Sequence, residues 1–194
     1  MDSARQPWQT AAVAARKPRL TPEKALAPET LEKNATSYLN RFDSSAANLR
    51  KVLQRGIRRH GRQVDPDLVQ RAEAYVEELI ARYLASGLLN DQRYAATIAW
   101  SLRERGSSQR AIAHKLSARG VDAAAIQDAI SEADRDRGVD GDLDAARRFA
   151  RKRRLGPHRA ADERTARRDR DLGALARAGF SLEVACRVLE EDLD

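Results

Sequence analysis

Eleven lysines and arginines crowd the stretch from Arg147 to Arg170, opposed only by Asp162, Glu163 and Asp169. The chain's formal net charge is +7, so its positive excess resides in this stretch and the remainder is close to neutral. A second group, Arg50, Lys51, Arg55, Arg58, Arg59 and Arg62, lies within residues 44–64, where there is no acid. A solvated helix face normally mixes signs at i, i+4 spacing, because blocks of one sign repel and weaken the helix. Such blocks therefore call for an anionic partner. Each cation placed on a nucleic-acid phosphate releases a counterion, and an acidic protein surface would serve as well. The candidate contact residues are Arg147, Arg148, Arg151, Lys152, Arg153, Arg154, Arg167, Arg168 and Arg170, with Arg50, Lys51, Arg55, Arg58 and Arg59 as a second set. Aromatic residues hardly interleave with either set, which argues against base stacking and for contacts to backbone phosphates with little sequence preference.

No other constellation carries chemistry. There is no phosphate-cradling G-x-x-x-x-G-K-[ST] segment and no G-x-G-x-x-G after a strand. His60, His114 and His158 lie far apart without H-x-x-x-H spacing, and read as surface residues. Glu77/Glu78 and Glu190/Glu191 fall on polar helix faces, where solvation is the default. Cys186 is the single cysteine, so disulfides and Cys-rich zinc sites are excluded, and it reads as a small core residue beside Val184 and Val188. With no nucleophile–base pair, the expectation is a binding protein rather than an enzyme, with no cofactor and no metal.

The elements that must position these cations are helices. The 194 residues include 42% hydrophobic side chains, many of them alanine, and only 5% aromatics, so the core is thin and suits helices packed side by side. Period-two apolar runs are absent, and no stretch approaches the roughly 18 apolar residues that span a membrane. The amino terminus lacks the apolar run of a secretory signal, so the cytoplasm is the expected compartment. Four of the six prolines fall in residues 1–34, which read as a disordered tail, with a short helix around 28–39 leading into the fold. Capped amphipathic segments follow. Ser44 or Ser45, Asp65-Pro66, Asn90 or Asp91, Ser107 or Ser108, Asp122, Asp162 and Ser181 are the expected starts, and Gly87, Gly120, Gly156-Pro157 and Gly179 the expected stops.

A unit recurs. Ser45-x-x-x-Leu49-x-x-x-Leu53 leads to Gly56-Ile57, Ser108-x-x-x-Ile112-x-x-x-Leu116 leads to Gly120-Val121, and a looser version ends at Leu175-x-x-x-Gly179-Phe180. Each is expected to close a helix at glycine and pack the next apolar residue back on the helix it leaves. A spacing of about sixty residues holds three helices, which exceeds the usual solenoid periods. The sequence thus predicts an elongated all-α protein of three tandem three-helix modules, 35–87, 88–138 and 139–194, after the tail.

The run Leu88-Leu89-Asn90-Asp91-Gln92-Arg93-Tyr94-Ala95 resembles the "LLDDxxYA" segment of the RecX family. As in that family, Ser108-x-x-x-Ile112-x-x-x-Leu116-x-x-x-Gly120-Val121 and Ile126-x-x-Ala129-Ile130 follow, and Leu175-Ala176-Arg177-Ala178-Gly179-Phe180-Ser181 resembles its "LxRRGFS" ending. The similarity spans roughly 35–194. It departs at Asn48, where the family usually has an acid, at Ser107, which replaces a common second glycine, and in a long basic loop from Gly56 to Pro66. The resemblance implies a monomeric three-module regulator that binds RecA–DNA filaments and restrains RecA in DNA repair and the SOS response. The alternative reading is a DNA-binding protein of helix-turn-helix type, with Gln109, Arg110 and Lys115 on its recognition helix.

Overall fold

The computed structural model describes residues 20–135 and 140–191. Among these it contains helices and turns and no strand: α1 (Pro22–Leu26), α2 (Pro28–Leu39), α3 (Ala46–His60), α4 (Pro66–Ala85), α5 (Asp91–Glu104), α6 (Gln109–Ala118), α7 (Ala123–Arg135), α8 (Gly141–Arg153), α9 (Ala161–Arg177) and α10 (Leu182–Leu189). The caps follow side-chain chemistry. Ser45, Asp65, Asn90, Ser108, Asp140 and Ser181 each accept a hydrogen bond from a backbone N–H of the first turn. Asp122 Oδ1 likewise accepts from the Ala125 N–H at 2.9 Å. α9 differs from expectation: Ala160 stands at its cap position, and Asp162 lies inside the first turn.

Three buried clusters organise the helices. The first joins α1–α4 through Leu26, Leu31, Leu49, Leu53, Ile57, Val76, Leu79 and Ile80. The second joins α5–α7 through Tyr94, Ile112, Leu116, Ile126 and Ile130. In the third, α8–α10 pack through Leu143, Leu155, Leu175, Phe180 and Val188. Each is small, and burial of one such aliphatic side chain contributes about 1.5–3 kcal/mol. The fold is an elongated row of three-helix modules, the first carrying α1 as an extra helix.

Two expectations are corrected. Residues 20–27, read as part of the tail, form α1 and its caps, and the short helix expected around 28–39 is α2, which belongs to the first core. Thr21 caps α1, and Leu26 and Leu31 are buried against α3. Pro22 and Pro28, two of the four prolines that suggested disorder, stand at first helical positions, where the missing N–H costs nothing; the remainder of that tail, residues 1–19, lies outside the described residues. Nor does Gly56 close a helix. α3 continues through it to His60 and a short 3₁₀ turn at Gly61–Gln63, so the supposed loop from Gly56 to Pro66 is largely helical. Leu49, Leu53 and Ile57 fall four residues apart on one buried stripe, and their packing overrides the roughly 1 kcal/mol helix penalty of glycine.

The modules meet through a joint that is built twice. At the first, Ser45 Oγ accepts from the Asn48 N–H and donates to the Arg119 carbonyl at 2.5 Å, while Asp91 Oδ1 accepts from the Ala46 N–H at 2.8 Å. At the second, Ser108 Oγ accepts from the Ala111 N–H and donates to the Ala178 carbonyl at 2.7 Å, while Asp142 Oδ1 accepts from the Gln109 N–H at 2.7 Å. Both serines are fully buried. Helices α3, α6 and α9 therefore stand end to end, the carbonyl end of the later one on the N–H end of the earlier one, an alignment that dipoles favour. Gly120 and Gly179 sit in the left-handed region at φ 74 and 93. They also sit flush against the neighbouring module: a Cβ would come within 2.4 Å of the Ala47 Cβ at one joint and 2.6 Å of Ser108 Oγ at the other. Asn48, the departure noted above, works in the first joint, donating to Tyr38 and Ser44 and accepting from Arg119. The second joint adds Arg103, only 1% exposed, whose guanidinium bonds Asp134, Asp142 and the Ser107 carbonyl.

Candidate nucleic-acid interface

The basic segment divides into two populations. Helix α8 turns Arg147 toward Glu191 and Arg148 toward Asp144 and Glu104, and α9 turns Arg168 toward Glu190. Arg159 is held by the buried Asp171 at 2.8 Å through two nitrogens, and Arg164 donates to the Arg159 and Pro157 carbonyls. Burial pushes the Asp171 carboxyl up. The hydrogen bonds from Arg159 and the Gly156 N–H outweigh that and hold it below the usual carboxylate range. These cations organise the third module.

The others project into solvent. Arg151, Lys152, Arg153 and Arg154 are exposed at the end of α8, and Arg167 and Arg170 are exposed on α9. Two connected hollows, of about 650 Å³ and about 490 Å³, gather several of them into a groove. Arg153, Arg159, Arg167, Arg170 and Arg177 line the first hollow, and Arg105, Lys152 and Arg153 line the second. Phe149, Arg153 and Ala178 belong to both. Arg105, Gly106, Ser107 and Ala111 come from the second module and the rest from the third, so the groove straddles the second joint. Lys152, Arg153, Arg167, Arg170, Arg105 and Arg177 make no ion pair among the described residues; the one carboxylate lining the groove, Asp171, is bonded to Arg159 and is also acted on by the Arg170 charge.

Arg105 and Arg177 were not among the sequence candidates, since both lie outside the dense stretch. Arg177 had a legible signal: positions 167, 170, 174 and 177 share one face of α9, and all four line the groove. Arg105 had none, because only the fold brings the end of α5 beside α8. Arg151 and Arg154 flank the groove without lining it. In the first module, Arg50 is tied to Glu77 at 2.8 Å and Lys51 reaches the Ala118 carbonyl, whereas Arg55, Arg58 and Arg59 are exposed along α3. Nothing brings this second set to the groove.

Helix α6 is poorly placed to act as a recognition helix. Such helices read bases with their first turn, and the first turn of α6 is occupied by Ala178 and Asp142 of the third module. Among the described residues, no helix is long and apolar enough to cross a membrane.

Residues 90–130 match the family model described as RecX, second three-helix domain. The chain is 41% identical over 170 residues to the regulatory protein RecX of Myxococcus xanthus, covering 86% of this chain and 88% of that protein. It is 36% identical over 101 residues to the regulatory protein RecX of Agrobacterium fabrum, covering 52% of this chain and 51% of that one. The fold is also that of the crystal structure of RecX from Lactobacillus salivarius, with a TM-score of 0.58 and 17% identity, over 84% of this chain and 94% of the other.

Proposed function

The chain belongs to the RecX family, and on that premise we propose that it binds a RecA–DNA filament in the cytoplasm and restrains RecA's recombinase and ATPase activity, in DNA repair and the SOS response. It acts as a monomer and by occupancy, without catalysis or cofactor. The observation that carries the site assignment is the groove across the joint of α5–α7 and α8–α10, with six cations that make no ion pair among the described residues. Backbone phosphates are the ligand such a surface fits, because they are regularly spaced, anionic and independent of sequence. The three modules, α1–α4, α5–α7 and α8–α10, form a row long enough to touch more than one protomer of a filament. Arg55, Arg58 and Arg59, far along that row, supply a second cationic contact for an anionic partner.

The test is titration into RecA hydrolysing ATP on single-stranded DNA. Hydrolysis should fall at less than one molecule per RecA protomer, on preformed filaments as well as nascent ones. Reversing Lys152, Arg153 and Arg170 to glutamate should remove the effect, and Cys186→Ser should not. Inhibition seen only at amounts that coat bare DNA, and absent on preformed filaments, would overturn the filament half of the proposal.

A further inference from the structure

We propose that Phe149 and Arg153 form a stacking platform inside the basic groove, through which it takes single-stranded nucleic acid by its bases as well as by its phosphates. This rests on the groove being the phosphate-binding surface. Scarcity of aromatics around the basic stretch argued for backbone contacts alone, but that count was linear. In the fold, the one aromatic of the stretch sits at its centre, shared by both hollows.

Four observations support the assignment. Phe149 is only half-buried, and its ring is propped from behind by Phe180, with centroids 5.8 Å apart. The Arg153 guanidinium lies 5.8 Å from the Phe149 centroid, so an aromatic ring and a planar cation sit together at the divide between the hollows. Both are surfaces on which single-strand binders stack bases. Arg153 itself is exposed and makes no ion pair among the described residues, so its guanidinium remains available to a base or a phosphate. Lys152 on one side and Arg170 on the other provide for the phosphates on either side of a stacked base. A duplex keeps its bases stacked inside and can offer this groove only its backbone. Single strands should therefore bind more tightly than duplex of the same length.

The experiment is fluorescence anisotropy of the full chain with three labelled probes: an oligodeoxythymidine, an abasic oligonucleotide with the same number of phosphates, and a duplex. One stacked base is worth about 5- to 150-fold in affinity, so the oligodeoxythymidine should bind at least about fivefold tighter than the abasic chain. Phe149→Leu keeps an apolar side chain against Phe180, and Arg153→Lys keeps the charge on an exposed site. Each should move that ratio toward one. If Phe149→Leu loses its helical signal, Arg153→Lys carries the test alone. A wild-type ratio of one, or a preference that Arg153→Lys leaves intact, would overturn the platform and leave the phosphate groove standing. Failure of the abasic chain to bind, or binding untouched by Lys152→Glu with Arg170→Glu, would overturn the groove itself.

Discussion

Replacing Gly179 by alanine probes how the modules are joined. The residue sits at φ 93, and its new Cβ would lie 2.6 Å from Ser108 Oγ. Holding an L-residue in the left-handed region costs about 1–2 kcal/mol. The clash would also push Ser108 Oγ aside, breaking the helix cap at Ala111 and the bond to the Ala178 carbonyl. Loss of a cap costs about 0.5–2 kcal/mol, and a stranded carbonyl about 1–3 kcal/mol. Gly179→Ala alone should therefore destabilise by about 3–5 kcal/mol, and Ser108→Ala alone by about 2–4 kcal/mol. Combined, they lose the same serine only once, so the double variant should fall short of the sum by about 2–4 kcal/mol, the cost of Ser108→Ala alone. Gly87→Ala is the control. It has φ 72 with open space around it, and should show the backbone penalty only. Urea unfolding followed by circular dichroism measures all four, provided the slopes match. Losses that add within about 0.5 kcal/mol would refute the account.

Other outcomes follow from single sites. Leu26→Ala, at a position 1% exposed, should cost about 2–5 kcal/mol in the same assay, and a neutral result would mean that α1 is not part of the first core. Arg103→Met breaks a buried pair and should cost about 3–5 kcal/mol, whereas Arg148→Met, on half-buried pairs open to solvent, should cost clearly less, about 1 kcal/mol; equal losses would contradict the structural role given to Arg103. The Asp171 carboxyl is held below its usual 3.8, so its stabilising contribution is full above that value and fades as pH falls through the depressed one. Asp171→Asn should thus lower the melting temperature at neutral pH and narrow its gap to wild type in strong acid; a gap independent of pH would show that the charge is not what stabilises. Lys152→Glu with Arg170→Glu should weaken DNA binding and flatten its salt dependence far more than Arg147→Glu with Arg168→Glu, whose side chains face Glu191 and Glu190. The comparison is read directly from affinities at two salt concentrations.

The helix starts were legible because capping is local: a serine or asparagine serves its own first turn whatever surrounds it. Gly120 and Gly179 were legible as stops for the same reason, but what they touch was not. Their neighbours, Ala47 and Ser108, stand some seventy residues away in the chain. Gly56 looked identical to them and was misread, since the stripe of Leu49, Leu53 and Ile57 decides its conformation through packing. The charge of the basic stretch was legible as composition. Its division into Arg147, Arg148, Arg159 and Arg168, spent on internal partners, and Lys152, Arg153, Arg167 and Arg170, open to solvent, depended on where Glu191, Glu190, Glu104 and Asp171 come to rest. Phe149 was invisible for the same reason.

The joint between modules is a connector with a plug and a socket, and the carbonyl end of α3 and the N–H end of α9 lack the mating halves. The socket is a serine-capped helix start, at Ser45 and Ser108. In the third module that position is Ala160, with no side-chain cap. The plug is a left-handed glycine after a helix, at Gly120 and Gly179. In the first module, α3 instead ends at Gly61, with φ −66, and Val69 closes over it. A row built from this connector has a direction, because each later helix seats its carbonyl end on the N–H end of the earlier one. Among the described residues the connector thus serves α3 with α6 and α6 with α9, and neither the N–H end of α9 nor the carbonyl end of α3 carries its half of it.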